Sequence, residues 1–146
     1  MEILTSRFGK VTLDKEDIIR FPAGLIGFTD CRQWVLLADR RNDAVAWLQC
    51  VDKPDVALAL VSPRRFLPHY KLRVTRQELA PLELADFSSA KVLAVVGKTD
   101  RGLTLNLQAP LVINPDRRLG HQVLAQGELP LRHELESGKA VLRKSA

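Results

Sequence analysis

NLQAPLVINPDRRLGHQVLA, residues 106–125, is the stretch of sequence that decides the predicted fold. It contains two short apolar runs, residues 111–113 and 123–125, that are rich in β-forming side chains. Pro110 has no N–H to donate to a neighbouring strand, so we expect it to end the preceding strand at Leu107. The stretch therefore predicts three strands, with a proline break between the first two.

A dense turn cluster, residues 114–120, separates the second strand from the third. Asn114 can cap this turn through its side chain, and Pro115 fixes its own φ. Gly120 can adopt a positive φ, which side chains with a Cβ rarely do. The sequence therefore predicts a wide turn that ends at Gly120.

Similar short apolar runs recur at intervals of about ten residues through the rest of the chain. They occupy residues 3–5, 11–13, 18–21, 34–38, 44–51, 56–61, 92–96 and 103–107. Helical signals are few: Ser62-Pro63 is typical of a short helix start, and Thr75 with Glu78 matches a capping box that Pro81 limits to about two turns. The predicted fold is all-β with minor short helices, arranged as a compact antiparallel β-barrel-like single domain over residues 1–136. Residues 137–146 are expected to be a basic, disordered tail.

Composition points to an ordinary globular protein, with 46% hydrophobic residues and a mean hydropathy of −0.06. No apolar run approaches the ~20 residues of a membrane span, and the N-terminus MEILTSRFGK lacks an apolar signal core. We therefore expect a cytoplasmic protein with no membrane contact. Two cysteines are too few for a disulfide framework, so Cys31 and Cys50 are interpreted as small buried hydrophobes. A bridge between them and a reactive thiol are the alternatives.

The net charge of +5 and the pI near 9.6 favour acidic partners, nucleic acid included. Three Arg-Arg pairs, at residues 40–41, 64–65 and 117–118, fall at predicted turns and not along one periodic face. This pattern is typical of solvated turn tips, and a phosphate-binding surface is the alternative. An aromatic content of 5% and the lack of base-stacking motifs argue against that alternative.

No motif indicates catalysis. His69, His121 and His133 share no metal-ligand spacing with one another or with the cysteines, and the chain has neither a nucleophile elbow nor a phosphate-binding loop. We therefore expect neither an enzyme nor a cofactor or metal site.

Four segments, taken in order, resemble the family of the flagellar assembly factor FliW. They are FPAGLIGF (residues 21–28), WLQC (47–50), SPRRFLPHY (62–70) and the stretch 106–125. The resemblance runs from about residue 8 to about residue 132. It departs from the family at His69, where an acidic residue is more frequent, and in the positive charge.

The resemblance implies a compact β-barrel-like domain, here expected to be a monomer, that acts in flagellar assembly. It implies binding to newly made flagellin and to the carbon storage regulator CsrA, a small RNA-binding repressor of flagellin translation. Factor released by flagellin export would take up the repressor and allow translation, and accumulated flagellin would reverse this. The alternative is a small basic β-barrel module that binds RNA directly.

The family-matching segments supply the candidate partner-binding residues. These are Leu25, Ile26 and Phe28 in the first glycine-containing loop, Phe66, His69 and Tyr70 after the Ser-Pro turn, and Asn106 and Asn114 beside the proline-rich strands. The alternative is that the apolar members are core and that the two asparagines hold local bends.

Overall fold

The computed structural model describes residues 1–127, 129–130 and 132–135, so the predicted tail 137–146 lies outside the described residues. Within that part the fold is all-β, as predicted, with one four-residue helix, α1 (Arg76–Leu79), and several 3₁₀ turns. The strands are β1 (Glu2–Thr5), β2 (Gly9–Thr12), β3 (Ile18–Arg20), β4 (Gln33–Ala38), β5 (Ala46–Cys50), β6 (Ala57–Val61), β7 (Lys91–Thr99), β8 (Gly102–Asn114), β9 (Leu119–Gln122) and β10 (His133–Glu134).

Seven strands, β3 to β9, form a closed barrel in which β10 adds to one edge of β8. Consecutive strands from β3 to β9 pair antiparallel. The barrel closes between β3 and β9, which run parallel and meet at a single residue pair, Arg20 and Leu119. The antiparallel barrel is therefore confirmed except at this closing seam. The Arg20 N–H donates to the Arg118 carbonyl there at 2.9 Å.

β8 is bent in its middle. Val95 of β7 pairs with Asn106 of β8, and Leu93 of β7 pairs with Leu111 of β8. The two β7 residues are two positions apart, whereas their partners in β8 are five positions apart. Between these pairs β8 has four residues, 107–110, where β7 has one, so β8 has three extra residues. They form a bulge, where the strand leaves β7 and then returns to it. The predicted strand end at Leu107 is therefore wrong: Pro110 lies at a bend within one strand, where no ladder needs its missing N–H.

β9 also differs from its prediction. The strand is Leu119–Gln122 and not residues 123–125, although Val123 and Ala125 still donate to the carbonyls of Pro110 and Gln108 at 3.0 and 2.9 Å. These two bonds run alongside the bulge, where the regular ladder with β8 has ended.

The turn before β9 is capped by Asn114, as predicted, since its Oδ1 accepts from the N–H groups of Asp116 and Arg117 at 3.1 and 3.4 Å. The residue with positive φ is Arg118, at 53°, and not Gly120. Gly120 lies inside β9, where the ring of Phe21 occupies the space that a Cβ would need. The predicted role of Gly120 in the turn is therefore wrong, and close packing against an aromatic ring explains the glycine.

The barrel interior is filled by apolar side chains from all around the sheet, with Trp34 and Phe21 the largest that are fully buried. Their rings meet edge to face, with centroids 6.4 Å apart. Outside the barrel, the β1–β2 hairpin packs Ile3 and nearby Leu13 against Val35 of β4. A further apolar layer covers the outer face of β7 and β8 and includes Leu105 and Leu107.

Replacing Gly120 with alanine is expected to lower the free energy of unfolding by about 1–3 kcal/mol, because the new methyl group must displace the buried Phe21 ring. Urea denaturation measures the loss. The double variant Phe21→Leu/Gly120→Ala should lose less than the sum of the single variants, since the smaller side chain leaves room. Additive losses would contradict this explanation.

Asp39 organises the turn between β4 and β5, and it generates a pH prediction. Its Oδ1 accepts from Trp47 Nε1 at 2.9 Å, and its Oδ2 accepts from the N–H groups of Arg41 and Asn42. The Trp47 hydrogen bond is the main cause that lowers the pKa of this carboxyl. A lowered pKa in the folded state stabilises the fold above about pH 4 and loses that contribution as the pH falls through the folded-state pKa.

Asp39→Asn should therefore cost about 1–3 kcal/mol at neutral pH and flatten the acid side of a stability-against-pH curve. Chemical denaturation at a series of pH values tests this. Asp43→Asn is the control in the same turn, because Asp43 forms an exposed ion pair with Arg65 at 3.4 Å, and exposed ion pairs contribute little to stability. Equal effects of the two substitutions would exclude the assigned role of Asp39.

Candidate functional site

The glycine-containing loop at residues 22–28 turns one of its apolar side chains inward and one outward. Leu25 is 3% exposed and packs in the barrel core, whereas Ile26 is 65% exposed. Phe28 is half-buried, with its ring edge to face against Trp34. Gly24 has φ +67°, and a Cβ there would lie 2.7 Å from the Thr29 backbone, so the loop needs glycine to turn this tightly. Leu25 is not available for contact with a partner.

The exposed tip of this loop is held against β8 by one side chain. The Ile26 N–H donates to Gln122 Oε1 at 2.7 Å, and Gln122 Nε2 donates to the Ala109 carbonyl at 3.0 Å. Gln122 therefore connects the loop to the bulge of β8. Gln122 is not among the candidate residues predicted from the sequence. The signal that points to it is its place in the family-matching stretch 106–125.

Asn106 stabilises the bulge itself. Its Oδ1 accepts from the N–H groups of Gln108 and Ala109, both at 3.1 Å, which satisfies donors that have left the ladder with β7. Ile26, Gln108, Gln122 and Leu124 lie around this bulge, and we call them the bend surface.

The bend surface combines exposed apolar groups with the amides of Gln108 and Gln122, beside the carboxylate of Glu78. Leu124 is 55% exposed, and its backbone N–H donates to a Glu78 carboxylate oxygen at 3.4 Å. The Ala125 N–H donates to the Gln108 carbonyl, which fixes the segment after β9 to the bulge. Exposed isoleucine and leucine rimmed by polar groups are typical of a contact surface for another protein.

Asn114 is separate from the bend surface. It is 2% exposed, and its Nδ2 donates to the Leu82 carbonyl at 2.8 Å, which ties β8 to the 3₁₀ turn after α1. Its amide is therefore used entirely inside the protein.

The segment at residues 66–70 lies on the outer apolar layer. Phe66 and Tyr70 are half-buried against the cluster that contains Leu105 and Leu107, and His69 is exposed. Burial raises the pKa of Tyr70, whose hydroxyl has no hydrogen-bond partner among the described residues. The chain then runs extended to Arg73, whose carbonyl accepts from the Gln126 N–H at 2.7 Å. This segment and the bend surface are therefore linked through the backbone but do not form one patch.

The described residues carry no group suited to metal or thiol chemistry. No three His, Cys, Asp or Glu side chains in residues 1–127, 129–130 and 132–135 are grouped to hold a metal ion. Cys31 and Cys50 are buried free thiols, and burial raises the pKa of Cys31 to about 11. Such a thiol is protonated and unreactive at neutral pH.

No helix in the described part of the chain has the length and apolar character to cross a membrane.

A closed barrel of short strands with an exposed apolar group on one of its loops defines a small β-barrel protein. The chain matches the model of the family described as FliW protein over residues 2–135. It is 33% identical over 150 residues to the flagellar assembly factor FliW of Natranaerobius thermophilus, covering 100% of this chain and 99% of that protein. For the protein of the same name from Bdellovibrio bacteriovorus the identity is 38% over 138 residues, covering 92% and 79%.

A crystal structure of the flagellar assembly factor FliW has the same fold, with a TM-score of 0.85 at 30% identity over 92% of this chain and 96% of that chain. The chain belongs to the FliW family of flagellar assembly factors. This is a family of regulatory and assembly proteins and not of enzymes.

The different burial of the two asparagines predicts different effects on stability. Asn114→Ala should lower the free energy of unfolding by about 1–3 kcal/mol, because it leaves the Leu82 carbonyl unpaired inside the protein. Asn106→Ala should cost less, since the half-exposed bulge can bond to water. Thermal and urea denaturation of both variants measures this order, and the reverse order would contradict the assigned roles.

Proposed function

We propose that this protein is a cytoplasmic factor that binds newly made flagellin and, in competition with it, the translational repressor CsrA. The family supports a role in flagellar assembly. The observation that carries the choice of surface is the pair of hydrogen bonds by which Gln122 links the Ile26 N–H to the Ala109 carbonyl. These bonds fix the backbone that carries the exposed Ile26 side chain to the barrel. We place flagellin binding on the bend surface.

A rigid apolar tip suits a partner that must be held until export. The backbone of Ile26 is already fixed by Gln122, so little conformational entropy is lost when the side chain is buried. Its exposed neighbour Gln108 can pair with the backbone of a bound segment without the desolvation cost of a charged group. The Phe28 ring packs edge to face against Trp34, and this contact holds the loop against the barrel core.

The switch needs only that one partner weakens binding of the other. A coupling free energy of about 1–3 kcal/mol changes affinity roughly 5- to 150-fold, and the effect is reciprocal. Flagellin export would then release the factor, the factor would sequester the repressor, and flagellin translation would resume. Overlapping or mutually exclusive contacts at the bend surface are sufficient for this coupling.

Ile26→Asp is expected to weaken flagellin binding at least about tenfold, because it places a charge where an apolar contact forms. Titration calorimetry with purified flagellin monomer measures the affinity. Leu4→Asp is the matched control, since Leu4 is 62% exposed but lies on the β1–β2 hairpin outside the barrel. Unchanged flagellin affinity in a folded Ile26→Asp variant would remove the loop from the site.

The same instrument tests the partner switch. Binding of CsrA should occur without flagellin and should weaken when flagellin is added. Binding of neither partner by folded protein would reject the proposal. Binding of RNA whose affinity falls steeply with added salt would favour the RNA-binding alternative, because phosphate contacts release counterions.

A further inference from the structure

We propose that a second groove, lined in part by Tyr70, binds an acidic segment of another protein through an apolar anchor. The groove encloses about 510 Å³. Its lining includes the side chains of Pro63, Arg64, Tyr70, Leu72, Phe87 and Val92. The inference does not depend on the proposed function, because it names its occupant by chemistry alone.

The groove has an apolar wall that the protein leaves uncovered. Phe87 is 57% exposed at the start of a 3₁₀ turn, although aromatic rings are usually among the side chains that folding buries. Leu72 and Val92 are half-buried and rest on the cluster that contains Leu82. A large exposed ring over a partly filled apolar floor is typical of a pocket that receives a side chain of a partner.

The turn that carries Phe87 has a fixed geometry. Asp86 precedes it and accepts the Ser88 N–H at 3.0 Å, and this hydrogen bond is the main cause that lowers the pKa of the carboxyl. The Ser89 hydroxyl donates back to the Asp86 carbonyl at 2.7 Å. The backbone that carries the ring is therefore fixed before any partner arrives, which reduces the entropy lost on binding.

The segment that brings Arg64, Tyr70 and Leu72 to the groove is basic, and Arg64 is the cation in the lining itself. The nearest carboxylate in sequence to Phe87 is that of Asp86. Residues 62–77 contain five lysines and arginines and no aspartate or glutamate. They are Arg64, Arg65, Lys71, Arg73 and Arg76. Tyr70, Leu72 and Val74 are half-buried while Lys71 and Arg73 are exposed, so this extended segment turns its apolar side chains inward and its charges outward.

Within the described part of the chain, two of these five cations have a partner inside the protein. Arg65 forms an exposed ion pair with Asp43, and Arg64 Nε donates to the Tyr70 carbonyl at 3.0 Å. That bond holds the guanidinium of Arg64 at the groove, where its remaining N–H groups can meet a carboxylate in the paired geometry that arginine favours. Charge complementarity therefore selects an acidic occupant.

The chemistry of the groove favours protein over RNA. Single-stranded RNA needs successive aromatic platforms for its bases, and here Phe87 is the one ring among the lining side chains that is mostly exposed. The other apolar members, Pro63, Leu72 and Val92, suit an aliphatic or aromatic side chain. In an acidic segment with one apolar residue, the carboxylates can pair with Arg64 and the apolar side chain can pack against Leu72 and Val92.

The test uses a fluorescein-labelled peptide of glutamate and phenylalanine, and the same peptide with every glutamate replaced by glutamine. Fluorescence anisotropy with the full chain should show binding of the acidic peptide and at least about tenfold weaker binding of the glutamine peptide. Phe87→Ser and Arg64→Gln should each weaken binding of the acidic peptide by about fivefold or more. Both side chains are exposed, so neither substitution threatens the fold.

Leu4→Ser, an exposed apolar substitution on β1, is the matched control and should leave the affinity unchanged. The proposal is overturned by equal binding of the two peptides, or by folded Phe87→Ser and Arg64→Gln variants that bind normally. Displacement of the acidic peptide by polyuridine at equal concentration would assign the groove to RNA. A dimer of the protein alone that Phe87→Ser dissociates would assign it to a second copy. Either result would also reject the proposal.

Discussion

The bulge in β8 is the constraint on which the rest of the structure depends. One strand of thirteen residues has to pair with β7 along both of its ends, with β10 on one part and with β9 on the other. The two ends of β8 pair with β7 in registers that differ by three residues. A register shift of an odd number of residues turns side chains to the other face of the sheet. The bulge absorbs the change, and Asn106 pairs the backbone donors that it leaves free.

The same bulge explains why the bend surface lies where it does. Gln122 and the segment after β9 bond to carbonyls that the bulge has turned away from β7, namely those of Ala109 and Gln108. Those bonds hold the loop of Ile26 on one side and Leu124 on the other. Irregular backbone thus produces a fixed surface, as bulges near binding sites commonly do.

Much of the fold could be predicted from the sequence, because apolar runs at regular spacing with turn residues between them report strands directly. The errors came where tertiary packing decided the outcome. Pro110 was predicted to end a strand, but a bulge removes the need for its N–H. Gly120 was assigned to a turn, but it is required by the ring of Phe21, which is far away in sequence.

The candidate residues show the same limit. Leu25 and Ile26 are adjacent and chemically alike, and only the Gly24 turn determines which of them points inward. Asn106 and Asn114 have similar sequence surroundings. Asn106 accepts hydrogen bonds from backbone N–H groups of the bulge, whereas Asn114 is buried and donates to the Leu82 carbonyl. Phe87 carries no motif, so its exposure could be seen only in three dimensions.

The single residue pair that closes the barrel has a consequence for how the protein is made. Arg20 cannot meet Leu119 until almost the whole chain has left the ribosome, and loop-closure entropy opposes that meeting throughout synthesis. Until then β3 is an open strand edge, the kind of surface that recruits other chains. Arginines on both sides of the seam, Arg20 and Arg118, place charge where a growing chain would otherwise be most prone to aggregate. The barrel of this flagellar assembly factor is therefore complete only after β9 has been made.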